Sequence, residues 1–494
     1  MPTTKRARDD ADVAPIVRHV RLADMPLRLD SLAPDVTRAL HNAERLVLAL
    51  PAAPAASVLD QAKEAADAAR ESTFPYLERA DPAYSAAYAA ASFLWAGALL
   101  VEAMASTPEA ADASARGALR ALDLAMLRGG VEEWAQQAEP LIDAATGRIQ
   151  CARQVSGGSF AAEAEHRDAV TRQWERRCAH FATGSLQPGA STIERLDART
   201  IDADSFRSRH MEPTDSGPRP VILTHAVDEW PAIGGGEAAS VTAAPWSMAS
   251  LRAVHGHRMV PVETYAAAHA TSTYLSPSWE RRVMPLADYL DQYVLGGGDG
   301  DADGDAGGEG SSAGGSAGGE GGSAGGGSGA ADELERGYLA QHPLLDQIPS
   351  LRRDICLPSV CAALTAQDRA APVGCEVRDT PIVSAWVGPA GTVSPLHTDP
   401  FHNVLCQVIG RKYVRLYAAS ETHRLYPRSG ALCNNSHIDL DRPSHREHPL
   451  FEGTPFCHAV LGPGEALYIP RHCWHYVRSL EPSVSVSFWW GARL

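Results

Sequence analysis

The feature that most limits what this chain can fold into is a change of hydrophobic rhythm near Gly184. Upstream, from about residue 33 to 183, Ala, Leu, Glu and Arg dominate, and apolar positions return at three- and four-residue spacing, as around Leu46 to Leu50 and Leu94 to Leu100. That is the period of helices with one buried face. Pro51, Pro54, Pro75, Pro82, Pro108 and the Gly129-Gly130 pair divide it into roughly five to seven helices. No fixed-period repeat is visible, so a helix-pair solenoid and a bundle both fit. Nothing titratable clusters in this half, which favours a scaffold or oligomerisation unit over a dedicated substrate-recruiting surface.

Downstream, β-branched and aromatic residues gather in short runs between Pro and Gly. Examples are Val221 to Leu223, Val260 to Glu263, Ile382 to Val387, Val404 to Ile409 and Val484 to Trp490. In the last, larger apolar residues alternate with Ser, as on a strand whose two faces differ. Many short strands with turn signals indicate a barrel or sandwich. The fold class is therefore α+β, with a helical domain over residues 31–184 preceding a β-barrel domain over 193–494. Residues 1–30 are expected to form an unstructured tail. Residues 296–331 are Gly, Ser, Ala, Asp and Glu with almost no apolar content, which cannot offset the entropy of ordering. Strand-like sequence lies on both sides, so this tract reads as a surface insertion within the barrel domain, where length costs little.

The net charge of −16 argues against a general nucleic-acid binder, which needs a dominant basic face. It suits a basic protein partner. Nine cysteines without C-x-x-C pairs fit reduced thiols better than a secreted disulfide framework. No apolar leader opens the chain, and the longest apolar stretch, Ala86 to Met104, is interrupted by Ser92 and Glu102. The expectation is a nuclear or cytoplasmic protein without a membrane span. Lys5-Arg6-Ala7-Arg8 is too short a basic cluster to decide between the two.

The chemistry concentrates in Ser394-Pro395-Leu396-His397-Thr398-Asp399. Residues two apart on a strand point the same way, so His397 and Asp399 can meet one metal ion. Two His and one carboxylate cover one face of an octahedron and leave three positions open, the arrangement of non-haem Fe(II) oxygenases. A third ligand is offered downstream. Gly464 to Pro470 reads as turn, strand and stop, followed by Arg471-His472-Cys473-Trp474-His475. His475 falls on or just before the next strand, and His472 competes with it on sequence alone.

These segments, with Gly410-Arg-Lys-Tyr-Val-Arg-Leu-Tyr417, resemble a Jumonji-C (JmjC) domain over roughly residues 193 to 494. Gly337 to His342, Asp346 to Pro349 and the closing Ser-Val-Ser-Phe-Trp-Trp490 narrow the resemblance to the branch described both as lysine-specific demethylases and as arginyl hydroxylases. The resemblance implies a double-stranded β-helix, a jelly-roll barrel of cupin type. It also implies Fe(II) held by His397, Asp399 and His475, with 2-oxoglutarate and O2 as cosubstrates. Lys412 would pair with the distal carboxylate of 2-oxoglutarate, Tyr338 and Asn403 would add hydrogen bonds, and Ser394 and Trp386 would line the same pocket. Glu263, Tyr274 and Trp279 resemble a pocket that holds a guanidinium by carboxylate pairing and ring stacking.

The implied reaction is hydroxylation of an arginine side chain in a protein substrate, with release of succinate and CO2. Lysine N-methyl demethylation, as on histones, uses the same site, although an aromatic cage without a fixed anion would suit it better. A catalytically silent barrel that only binds partners is the answer from a different class.

Overall fold

The computed structural model describes residues 18–51, 54–77, 81–156, 190–212, 217–235, 245–266, 275–276, 278–295, 335–372 and 375–493. The expected insertion at 296–331, the stretch 157–184 and Tyr274 lie outside the described residues.

The helical half contains α1 (Pro34–Leu48), α2 (Ala56–Glu71), α3 (Pro82–Ala105), α4 (Pro108–Gly129) and α5 (Val131–Ser156), with a single turn at Phe74–Leu77 between α2 and α3. Three prolines act at helix starts, Pro34, Pro82 and Pro108, where a fixed φ and a missing N–H cost nothing, whereas Pro140 lies inside α5. Asp81 caps α3 by accepting from Ala83 N at 2.9 Å.

The helix α3 is long and apolar enough to cross a membrane by composition, yet most of it is buried in the bundle. Ala87, Ala90, Phe93, Leu94, Leu100 and Val101 on several faces are all inaccessible, as in a helix surrounded by its neighbours.

Part of the expected N-terminal tail is a correction. Residues 1–17 lie outside the described residues, but residues 18–31 pack on the bundle through Val20, Leu22 and Met25 and form short turns at Leu22–Asp24 and Leu29–Ser31. A Cβ on Gly97 would lie 3.1 Å from Val20 Cγ1, so the absent side chain of α3 makes room for this segment. It has no helical period, because it is held by tertiary burial and not by its own pattern.

The barrel half supplies β1 (Ala190–Thr192), β2 (Glu194–Asp197), β3 (Val221–Thr224), β4 (Met259–Ala266), β5 (Glu280–Pro285), β6 (Glu335–His342) and β7 (Val377–Gly388). After these come β8 (Val393–His397), β9 (His402–Ile409), β10 (Lys412–Tyr417), β11 (Phe456–Leu461), β12 (Ala466–Ile469), β13 (Trp474–Ser479) and β14 (Ser483–Ala492). They form a five-stranded sheet, β1-β11-β10-β13-β8, and a nine-stranded sheet, β2-β3-β12-β9-β14-β7-β6-β4-β5. Pairing is antiparallel except for β1 with β11 and β2 with β3. This is a jelly roll following a helical region. Because β1 begins at Ala190 and pairs with Phe456, the barrel starts slightly before residue 193.

Two buried cores flank the larger sheet. Leu405, Val414, Leu416, Leu467, Ile469 and Val477 fill the space between the sheets, while Val404, Cys406, Val484, Val486, Phe488 and Trp490 face the opposite side, against helices and turns. The alternation in β14 therefore separates two buried faces of different chemistry, not an inside from an outside: every residue of the strand is buried. The helical half meets the barrel where Asp123 on α4 and Arg258, just before β4, form a fully buried ion pair.

Candidate metal centre

Three groups converge at one end of the barrel interior. The ligand atoms of His397, Asp399 and His475 all lie within 4.8 Å of one another. Pairing of β13 with β8 sets His475 directly opposite His397, so both imidazoles leave the sheet on the same face. Each Nδ1 donates to a backbone carbonyl two residues earlier, His397 to Pro395 at 2.7 Å and His475 to Cys473 at 3.0 Å. With Nδ1 so used, the lone pair belongs to Nε2, and both Nε2 atoms face Asp399, at 3.8 Å and 3.6 Å.

Burial, and then the neighbouring His397, push the His475 imidazole down to about 4, which keeps it neutral and able to donate its lone pair. Burial opposes ionisation of Asp399, but His475, His397 and the indole N–H of Trp489 together hold its carboxyl below the ordinary value. The alternative ligand is turned away: His472 is exposed, has φ of 61° and donates its backbone N–H to the Asp399 carbonyl at 3.0 Å.

Trp489 was not anticipated from sequence. Its Nε1 donates to Asp399 Oδ2 at 3.0 Å. The signal lay in the strand's alternation, since Trp489 shares the face of Ser485 and Ser487, and that face is the barrel interior. There Ser487 Oγ accepts from Trp386 Nε1 at 2.9 Å, and the rings run Tyr338, Trp386, Trp489 at centroid spacings of 5.9 and 6.1 Å.

Lys412 lies on the same interior face of β10 as Val414 and Leu416. It is buried, and burial alone pushes its ammonium down to about 7. Asn403, interior on β9, has a buried side-chain oxygen without a hydrogen-bond partner. Tyr338, on the sheet opposite Ser394, has its hydroxyl pushed up chiefly by burial, with Ser394 opposing the rise. Among the described residues Lys412 has no counterion, and a buried cation so placed is costly in a low-dielectric interior unless an anionic ligand joins it. A small dicarboxylate fits that description.

Glu263 on β4 stands directly opposite Tyr338 on β6, so the two side chains share a face. Half-buried, it has its carboxyl pKa raised by burial, while a hydrogen bond from Trp279 and the charge of Arg281, opposite it on β5, oppose the rise. Trp279 is 37% exposed. Tyr265, two residues on and on the same face, is buried and has its hydroxyl pushed up to about 12, chiefly by burial. Its place in this pocket was also missed by sequence reasoning, which stopped at the carboxylate.

The family described as a cupin-like domain matches residues 208–493. Among curated proteins, the chain is 34% identical over 301 residues to lysine-specific demethylase 8 of Xenopus tropicalis, covering 61% of this chain and 53% of that protein. It is 36% identical over 288 residues to the protein of the same name from Danio rerio, covering 58% and 56%. Against Jumonji C domain-containing protein 5 of Drosophila melanogaster it is 33% identical over 308 residues, covering 62% and 63%. The chain thus spans about half the length of the first two of these relatives.

Proposed function

Because the chain belongs to the cupin-like domain family, and its relatives bear Jumonji C and demethylase names, we propose that it is an Fe(II)- and 2-oxoglutarate-dependent protein oxygenase. The observation that carries this reading is the coexistence, in one barrel interior, of the His397–Asp399–His475 face and the buried Lys412, which has no counterion among the described residues. Fe(II) bound there would supply O2 activation coupled to oxidative loss of CO2 from 2-oxoglutarate, leaving succinate.

The chain's own residues do the rest. His397 Nε2, Asp399 and His475 Nε2 would hold the metal from one side and leave the other side open. Lys412 would neutralise the far carboxylate of 2-oxoglutarate, with Tyr338, Ser394 and Asn403 as hydrogen-bond partners and Trp386 packing beside it. It sits four residues along β10 from Leu416, which pairs with His475, or roughly 13 Å of strand. That interval leaves room for a five-carbon diacid and the lysine stem. The indoles of Trp386 and Trp489 exclude water from this side.

The substrate we assign is an arginine side chain in a protein segment. Glu263, whose carboxylate gains from a cation in its half-buried place, would take the guanidinium, with Trp279 beside it as a stacking surface. A second reading, lysine N-methyl demethylation, is favoured by the names of the relatives from Xenopus and Danio, and the metal face serves it equally. The two are separated by incubating the purified protein with Fe(II), ascorbate and 2-oxoglutarate, and with arginine or N-methyl-lysine peptides, beside a His397→Ala control. A gain of one oxygen on arginine supports the first reading, and methyl loss from lysine the second. Absence of both iron binding and succinate formation would leave only a binding module.

A further inference from the structure

The ion pair between the two halves is the centre of a larger buried network. Asp123 on α4 accepts from Arg258 Nε at 2.9 and 3.1 Å, from a second guanidinium nitrogen of Arg258, from the backbone N–H of Met259 at 2.9 Å and from Gln347 Nε2 at 2.8 Å. Gln347 Nε2 also donates to the Met259 carbonyl at 2.7 Å, and Arg258 to the Gln347 carbonyl at 2.6 Å. Beyond Gln347, its side-chain oxygen accepts from His342, whose imidazole burial keeps neutral. Asp123, Arg258, Gln347 and His342 are all at most 2% exposed.

This network grips two strands at once. Met259 is the first residue of β4, four positions before Glu263, and His342 is the last residue of β6, four positions after Tyr338. Their ladder to the rest of the barrel is irregular. The β6–β7 pairing rests on Leu339 with Val387 and His342 with Ala385, with a register shift between them. A register shift locally disrupts the ladder, whereas a fully satisfied buried polar network permits one arrangement.

We propose that Asp123 is a positioning residue of the active site, holding β4 and β6 so that Glu263 and Tyr338 face the metal centre, and that the helical half is thereby a working part of the oxygenase. The inference rests on the roles proposed above for Glu263 and Tyr338. It gives the helical half a task in catalysis beyond scaffolding.

The test uses the full chain with Asp123→Leu/Arg258→Met, which removes both charges together and so avoids stranding one of them, and with Asp123→Asn. Amide hydrogen exchange over residues 259–266 and 335–342 is read without metal, and 2-oxoglutarate binding is read with Mn(II) in place of Fe(II). Exchange in both strands should accelerate at least about tenfold while β9 and β14 keep their protection, and cosubstrate affinity should fall. On an arginine peptide kcat should drop on the order of 10–100-fold, the cost of an ångström-scale misplacement, with Asp123→Asn recovering part of it.

Wild-type exchange and cosubstrate affinity in the double variant would overturn the proposal. Should that variant not fold, the same two measurements on Asp123→Asn decide the matter. If the wild-type protein hydroxylates no arginine peptide but exchange and cosubstrate binding change as stated, the substrate reading fails and the positioning role stands.

Discussion

The two halves of this protein bury opposite kinds of surface. The helical core is built mostly from the smallest side chains, with Ala62, Ala66, Ala69, Ala87, Ala90, Ala118, Ala121 and Ala125 all inaccessible, and Asp123 is its buried charge. The barrel interior instead encloses His475, Lys412, Asn403, Gln407, Ser485 and Ser487. Close helix packing needs only shape, whereas each buried polar group carries a desolvation cost that persists only where something repays it. Function is therefore located by asking which buried groups a folding argument alone would not keep.

The strongest way to break the comparison is to remove a group from the metal face. His397→Ala should abolish metal binding and succinate formation, by more than the roughly 100-fold that an outer partner commands, as read by isothermal titration and product analysis. Retained iron affinity would detach the triad from function. Next comes Lys412→Met. Losing a charge-assisted contact of about 1.5–3 kcal/mol should weaken 2-oxoglutarate binding on the order of 10–100-fold. The ligand-free variant should nonetheless melt at a higher temperature, because a buried ammonium without a counterion has gone.

The same lysine predicts a pH dependence. Its value is about 7 folded against an ordinary 10.5, so between those values the unfolded chain holds one more proton. Its contribution makes the ligand-free protein more stable as pH rises through this window. A dianion favours the charged form, so cosubstrate binding should take up a proton above pH 7 and weaken as pH rises. Calorimetry in buffers of different ionisation enthalpy reads this directly.

Two milder changes sharpen the contrast. Trp489→Phe keeps the ring and loses the N–H to Asp399, and should cost roughly 10–100-fold in metal affinity. Glu263→Gln should cut kcat/KM on arginine peptides about tenfold or more while metal affinity stays level, and unchanged turnover would remove Glu263 from the substrate pocket. The smallest effect on activity belongs to the alanine core of the helical half, away from Asp123. Ala66→Leu should cost about 1–3 kcal/mol through overpacking, visible in the melting temperature, and leave KM unchanged.

Much of this was legible in the sequence where partners are close along the chain. The helices follow from period and proline placement, and the runs at Val221, Val260, Ile382, Val404 and Val484 all fall in strands. His397 and Asp399 are two residues apart, which pointed to a shared site, although β8 ends at His397 and Asp399 follows the strand. The choice between His472 and His475 was not legible, because it depends on a left-handed turn at one and on cross-strand register at the other. Asp123 gave no signal either. On a helix it reads as one more acidic residue, and its partner Arg258 is 135 positions away. Residues 18–30 were misjudged for a related reason: a segment held by what it packs on carries no period of its own.

The indole of Trp489 has a consequence for how the carboxylate can bind. The Trp489 N–H already engages Asp399 Oδ2, so a cation held by this carboxylate would meet less competition at Oδ1. Under the proposed function, that would favour binding through one oxygen over chelation through both. A chelating carboxylate would fill a fourth position of the octahedron, and a bidentate diacid and a gas molecule together need three. Under the proposed function, one donated hydrogen bond, from a strand on the opposite sheet, would favour the single-oxygen mode that keeps those positions open.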